Sequence, residues 1–161
     1  MTQIAWRMSV AKFVYRMQNI LDIKSKLEVQ AKNDFAQANA ALLEEQEKLT
    51  EYFFKKRSCE ERLRDEYSKE KLDLSEVQFW KSNIEYTEGR IKEQTVCVMN
   101  AQTRADAKKE QMLQLMKERK TQEILKEGAF QQFVQEVRAE ESKEVDELVS
   151  YTYGKKQNES R

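Results

Sequence analysis

Histidine and proline are missing from this chain of 161 residues, glycine occurs three times and cysteine twice. Without His, and with no Ser or Cys beside a plausible base, no nucleophile–base pair can be assembled. Cys59 and Cys97 alone make neither a four-ligand zinc site nor a disulfide framework. So few glycines leave no phosphate-cradling loop of the P-loop or dinucleotide type, which excludes an ATPase or a dehydrogenase. Turns are built mainly from Gly, Pro, Asn and Asp, so their scarcity argues against a fold of many elements. No stretch approaches about 18 uninterrupted apolar residues, the length needed to span a membrane. Met1–Val14 carries Arg7 and Lys12 and no apolar run of signal-peptide length, so a cytoplasmic protein is expected.

An excess of one charge is missing as well. The chain has 29 Lys+Arg and 29 Asp+Glu, divided 14 to 13 over residues 1–75 and 15 to 16 over residues 76–161. Neither half has the positive excess that drives counterion release from a phosphate backbone, and no nucleic-acid partner is expected. Lys108-Lys109 and Lys117-Glu118-Arg119-Lys120 are interrupted or followed by acids and read as solvated helix faces. Adjacent acids such as Glu44-Glu45 and Glu60-Glu61 point about 100° apart on a helix and do not converge on a substrate. The expectation is a protein that is not an enzyme, with no catalytic, metal or cofactor site and no small-molecule ligand.

What is present is charge, 36 % of all residues, and apolar residues at helical spacing. One seam runs through Phe13, Met17, Ile20, Lys24, Leu27, Ala31, Phe35, Ala38, Leu42, Glu45, Leu49, Tyr52, Lys56, Cys59 and Leu63. Its steps alternate 3 and 4 except for consecutive fours around Ala31 and Phe35, a stutter that would locally unwind a supercoil. A second seam runs through Val77, Trp80, Ile84, Thr87, Ile91, Gln94, Val98, Ala101, Ala105, Lys108, Met112 and Leu115. It falters near Arg119 and Gln122, and an apolar face resumes through Phe130, Val134, Val137 and Leu148. Sustained 3-4 spacing is the coiled-coil pattern. Lys24, Glu45, Lys56, Gln94 and Lys108 dilute it, which predicts modest stability.

Between the seams, Asp73 with Glu76 and Ser75 with Gln78 are overlapping capping-box signatures. They predict a first helix over about 13–71, a turn over about 72–75 and a second helix over about 76–149. A short connection makes the helices antiparallel neighbours, so residues 1–151 read as a single all-α, two-helix coiled-coil hairpin, monomeric by itself, with a polar, frayed tail over 152–161. A turn centred near residue 74 makes facing residue numbers add to about 148. Cys59 then faces Gly89 and Cys97 faces Glu51, too far out of step for a disulfide, each filling a small apolar place at the interface. The end of the second helix, with Val137, Val145, Leu148, Val149 and Tyr151, lacks a packing partner unless residues 1–12 lengthen the first helix. Phe79, Tyr86 and one of Phe53-Phe54 lie off the seam, whereas Trp80 packs on the first helix near Ser68. Gly128 marks a place for a bend or loosened turn near 119–128.

The opening of the first helix is distinctive. Lys12-Phe13-Val14-Tyr15-Arg16-Met17-Gln18, an aliphatic run to Ile23, and Lys26-Leu27-Glu28-Val29-Gln30-Ala31-Lys32-Asn33-Asp34-Phe35 resemble the start of the flagellar export protein FliJ family in its Gram-positive form. The close match covers about 25 residues; length, two-helix organisation and polar tail agree over the rest. Met1–Arg7 is an addition to the family pattern, and Met8 is an alternative start.

The resemblance implies a coiled-coil stalk of the flagellar type III export apparatus, peripherally associated with the inner face of the cell membrane at the flagellar base. It implies three partners: the hexameric export ATPase, the cytoplasmic domain of the export gate membrane protein, and export chaperones whose delivery of substrates it assists. The gate-contacting patch would lie on the early second helix, at Phe79, Trp80, Ile84, Tyr86 and Ile91, with Asn83 and Thr87 more polar than the pattern. The ATPase ring would receive the other end of the rod, with Phe13, Tyr15, Arg16, Val137 and Leu148. Two alternatives stand beside this reading: the equivalent stalk of a virulence-type injectisome, and an unrelated structural coiled coil that homodimerises.

Overall fold

The computed structural model describes residues 12–158. The Met1–Arg7 addition, the alternative start at Met8, the lengthening of the first helix by residues before Lys12, and the last three residues of the tail lie outside them. Among the described residues there are two helices and no strand: α1, Gln18–Tyr67, and α2, Leu74–Asn158. They form an all-α helical hairpin. The chain divides into two compact units, Lys26–Met116 and Met1–Ser25 with Lys117–Arg161.

In the Lys26–Met116 unit the seam of α1 is Glu28, Ala31, Phe35, Ala38, Leu42, Glu45, Leu49, Tyr52, Lys56, Cys59, Leu63 and Glu66, all buried or half-buried. These steps alternate 3 and 4 without interruption, so the stutter expected at Ala31 and Phe35 does not occur. Apolarity misplaces the seam there by one residue: Leu27 is 44 % exposed, whereas the acid Glu28 is 2 % exposed. Glu28 tolerates burial because the Lys32 ammonium, one turn on, lies 2.7 Å from its carboxylate. The seam of α2 falls where the periodicity predicts, from Val77 to Leu115. Its tightest part joins Ala38 and Leu42 to Ala105, with Val98 and Ala101 packed alongside. Small residues on both helices bring the backbones close but bury little area, so few side chains here are fully buried.

Polar residues at seam positions meet across the helices. Gln94 Nε2 donates to Glu45 Oε2 at 2.5 Å and to the Glu45 carbonyl at 3.0 Å. Lys56 Nζ lies 2.8 Å from Glu88, and Lys108 Nζ 3.7 Å from Asp34. The paired numbers add to 139, 144 and 142, not 148. The cause is the position of the turn, which occupies residues 68–73 and so centres between 70 and 71. This register carries the cysteines further out of step. Both are free, and Cys97 is exposed rather than at the interface, because its neighbour Val98 takes the seam position.

α1 ends at Tyr67, short of residue 71, because its last turn tightens. The Ser68 and Lys69 amides donate to the carbonyls of Asp65 and Glu66, and the Ser68 hydroxyl donates to the Arg64 carbonyl. α2 begins at Leu74 because Asp73 is its cap: Oδ1 accepts from the amides of Ser75 at 2.9 Å and Glu76 at 3.4 Å. The reciprocal half of the capping box is absent. Glu66 of α1, and not Glu76, accepts from the Asp73 amide, and Glu76 instead accepts from the Trp80 indole N–H at 3.1 Å.

In the other unit, α1 begins at Gln18 and not at Phe13, because Phe13 and Tyr15 are directed onto α2. The Phe13 ring meets those of Phe130 and Phe133, with centroids 5.2 and 5.5 Å away. The Tyr15 hydroxyl donates to Gln122 Oε1 at 3.5 Å. Leu21 is buried here while Ile20 is exposed, the same one-residue offset as at Glu28. Lys24 Nζ and Glu118 lie 2.5 Å apart. The seam of α2 does not stop at Arg119. It continues through half-buried Arg119, Gln122, Lys126, Ala129 and Phe133, the first three polar yet the spacing regular. α2 stays helical through Gly128 and Gly154 to Asn158, with no glycine at positive φ, so residues 152–158 are helix and not frayed tail. The absence of proline leaves nothing in that stretch to stop a helix.

Candidate partner-docking surfaces

The five residues expected to meet an export gate separate into two faces of α2. Trp80, Ile84 and Ile91 are half-buried on the seam. Phe79 and Tyr86 are 55 % and 68 % exposed and lie seven residues apart, on one outward face. Phe79 and Trp80 bridge the faces, their rings 4.9 Å apart and at 77°. Trp80 takes its polar partner, Glu76, from its own helix, and this orients the indole along α2. Asn83 and Thr87, the polar departures, belong to the inner side. Thr87 is buried with its hydroxyl donating to the Asn83 carbonyl at 2.7 Å, so its polarity needs no partner across the seam.

One neighbour of this surface was not legible in the spacing. Arg90 Nη2 donates to the Tyr52 hydroxyl at 3.3 Å, with the guanidinium carbon 5.7 Å from that ring's centroid. A second Arg90 nitrogen lies 2.8 Å from Glu93. Arg90 thus clamps Tyr52 of α1 beside the outward Tyr86 and Gly89. Both Phe53 and Phe54 are exposed, since Tyr52 holds the seam position.

Electrostatics tighten the cross-helix contacts of the Lys26–Met116 unit. Glu45 is held below its usual pKa of 4.5, first by the Gln94 amide and then by Lys48. Glu88 is lowered by Lys56, and Lys56 is raised above 10.5 chiefly by Glu88. Lys69, bonded to Glu66, is also raised above 10.5.

The residues expected to meet an ATPase ring also divide. Phe13 and Tyr15 are half-buried against α2, whereas Arg16 is exposed. Val137 is half-buried and Leu148 is exposed. Phe130 and Phe133, which hold Phe13, lie outside that set; their spacing to Val134 and Val137 was the available signal. From Arg138 to Lys155 every residue of α2 is exposed, Val145, Leu148, Val149, Tyr151 and Tyr153 included. Among the described residues no helix is long and apolar enough to cross a membrane, and no group of acids, cysteines or histidines is placed to hold a metal ion.

No curated protein and no solved structure matches the chain. The model of one family, described as flagellar FliJ protein, matches residues 13–158, which takes in both helices and the turn. With that match over nearly its whole length, the chain belongs to the flagellar FliJ protein family and is a flagellar-type export component.

Proposed function

We propose that this protein is a coiled-coil stalk of the flagellar export apparatus, which binds the hexameric export ATPase and the cytoplasmic domain of the export gate and assists chaperones in delivering substrates. It acts in the cytoplasm, peripherally associated with the inner face of the membrane at the flagellar base. Family membership supports the setting. The observation that carries the mechanism is the exposure of large apolar side chains on a hairpin that has no use for them internally. Phe79 and Tyr86 are free for the gate, backed by Trp80, Ile84 and Ile91. Leu148, with Val137 and the Phe13, Tyr15 and Arg16 segment, serves the ATPase ring. Exposed aromatic anchors above a packed seam are what a protein interface uses.

The gate half is tested by capture of the gate's cytoplasmic domain. Phe79→Ala with Tyr86→Ala should weaken capture at least tenfold while helix content holds, because neither side chain is buried. Undiminished capture would remove these residues from the interface.

A further inference from the structure

We propose that Gly89 leaves a notch in the outward face of α2 that receives an apolar side chain of the gate's cytoplasmic domain. This rests on the gate reading above and adds to it the position and chemistry of the closest approach. Gly89 lies well inside α2, 15 residues after Leu74. Glycine is a poor helix former there, because its backbone loses the most freedom on ordering. Neither internal reason for a helical glycine applies. Its φ is not positive, so the backbone conformation is open to any residue. A Cβ built on it would meet nothing within 4 Å apart from the helix's own backbone, so no neighbour in the chain needs the space. Alanine would fit and would favour the helix. What the missing side chain does is present bare backbone to the outside, the condition for close approach by another molecule.

The surroundings say what approaches. Gly89 shares a shallow groove with Ser82, Glu85, Tyr86, Arg90 and Glu93. Ser82 precedes it by seven residues and lies on the same side of the helix, so the floor is small over two turns. Tyr86, one turn before Gly89 and 68 % exposed, stands beside it as a wall. Phe79, seven residues before Tyr86 and also exposed, prolongs that wall. Arg90 has its guanidinium engaged within the chain, one nitrogen on the Tyr52 hydroxyl and another on Glu93. With its charge answered there, Arg90 contributes its aliphatic stem rather than a site for an anion. An aromatic wall, a bare floor and an aliphatic stem suit an apolar side chain laid flat on the backbone, not a carboxylate or a phosphate.

Gly89→Ala and Gly128→Ala separate this role from helix propensity. Both positions are open, so each alanine should raise the melting temperature by about 2–4 °C. Gly128 lies 39 residues further along α2, so Gly128→Ala should leave capture of the gate's cytoplasmic domain unchanged. Gly89→Ala should weaken capture several-fold despite the gain in stability. Gly89→Leu, which fills the notch, should weaken it about tenfold or more. Capture by both Gly89 variants equal to that of the unaltered protein would overturn the proposal. If Phe79→Ala with Tyr86→Ala still lost capture, the gate reading would stand without the notch; if that variant also kept it, the gate face itself would be given up. A lower melting temperature for Gly89→Ala would overturn the proposal too, since the glycine would then have its reason inside the chain.

Discussion

Glu66 Oε1 on the last turn of α1 accepts a hydrogen bond from the Asp73 backbone amide at 3.4 Å, across the loop that separates the helices. Asp73 in turn caps α2 through the amides of Ser75 and Glu76. One buried carboxylate, with Lys69 bonded to it, thereby ties the end of one helix to the start of the next. Asp73→Ala should cost about 1 kcal/mol in urea unfolding, while Asp73→Asn, which keeps a capping oxygen, should cost a few tenths. Glu66→Ala should destabilise without touching the cap, seen as faster amide exchange at Asp73.

The contact of Ala105 with Ala38 and Leu42 leaves no room for a larger side chain. Ala105 is 2 % exposed, so Ala105→Leu should cost about 1–3 kcal/mol by overpacking. Leu43→Ala, one residue from Leu42 but exposed, should stay within about 0.5 kcal/mol. Paired urea titrations followed by circular dichroism check both.

The response to pH follows from the shifted groups. Glu45 and Glu88 titrate below 4.5 in the folded chain, so their stabilisation is full above that value. It is lost as pH falls through their lowered folded values. Lys56 and Lys69 titrate above 10.5 when folded; their contribution is full below 10.5 and lost as pH rises through the raised values. Melting temperature should therefore be flat around neutrality and fall at both extremes. Gln94→Ala, which removes the first cause of the Glu45 shift, should weaken the acid limb.

Phe13→Ala should loosen the unit that contains it. An aromatic pair adds about 0.5–1.5 kcal/mol beyond its buried area, and Phe13 makes two. Amide exchange should rise around Gln18–Ser25 and Phe130–Phe133, while amides near Ala38, Leu42 and Ala105 keep their protection.

How much of this is legible in the sequence depends on whether polarity and position agree. From Val77 to Leu115 the seam residues are mostly apolar or small, and spacing alone locates them. At Leu27 and Glu28 the apolar residue is outside and the acid inside, because an ion pair to Lys32 offsets the burial, and hydropathy points one residue astray. The Asp73 cap is a local hydrogen bond between near neighbours and is readable; its tie to Glu66 is not, since it depends on where α1 stops. The outward placement of Phe79 and Tyr86 follows from periodicity. The seat of Phe13 between Phe130 and Phe133 does not, because Phe13 precedes the helix and obeys no helical spacing.

The most direct measurement is ATP turnover of the purified cognate export ATPase against added protein, with gel filtration in parallel. The stalk account predicts faster hydrolysis together with co-elution at the mass of a hexameric ATPase, and loss of both with Phe13→Ala and Leu148→Asp combined. Unchanged turnover and separate elution, with the protein running as a stable dimer, would contradict it.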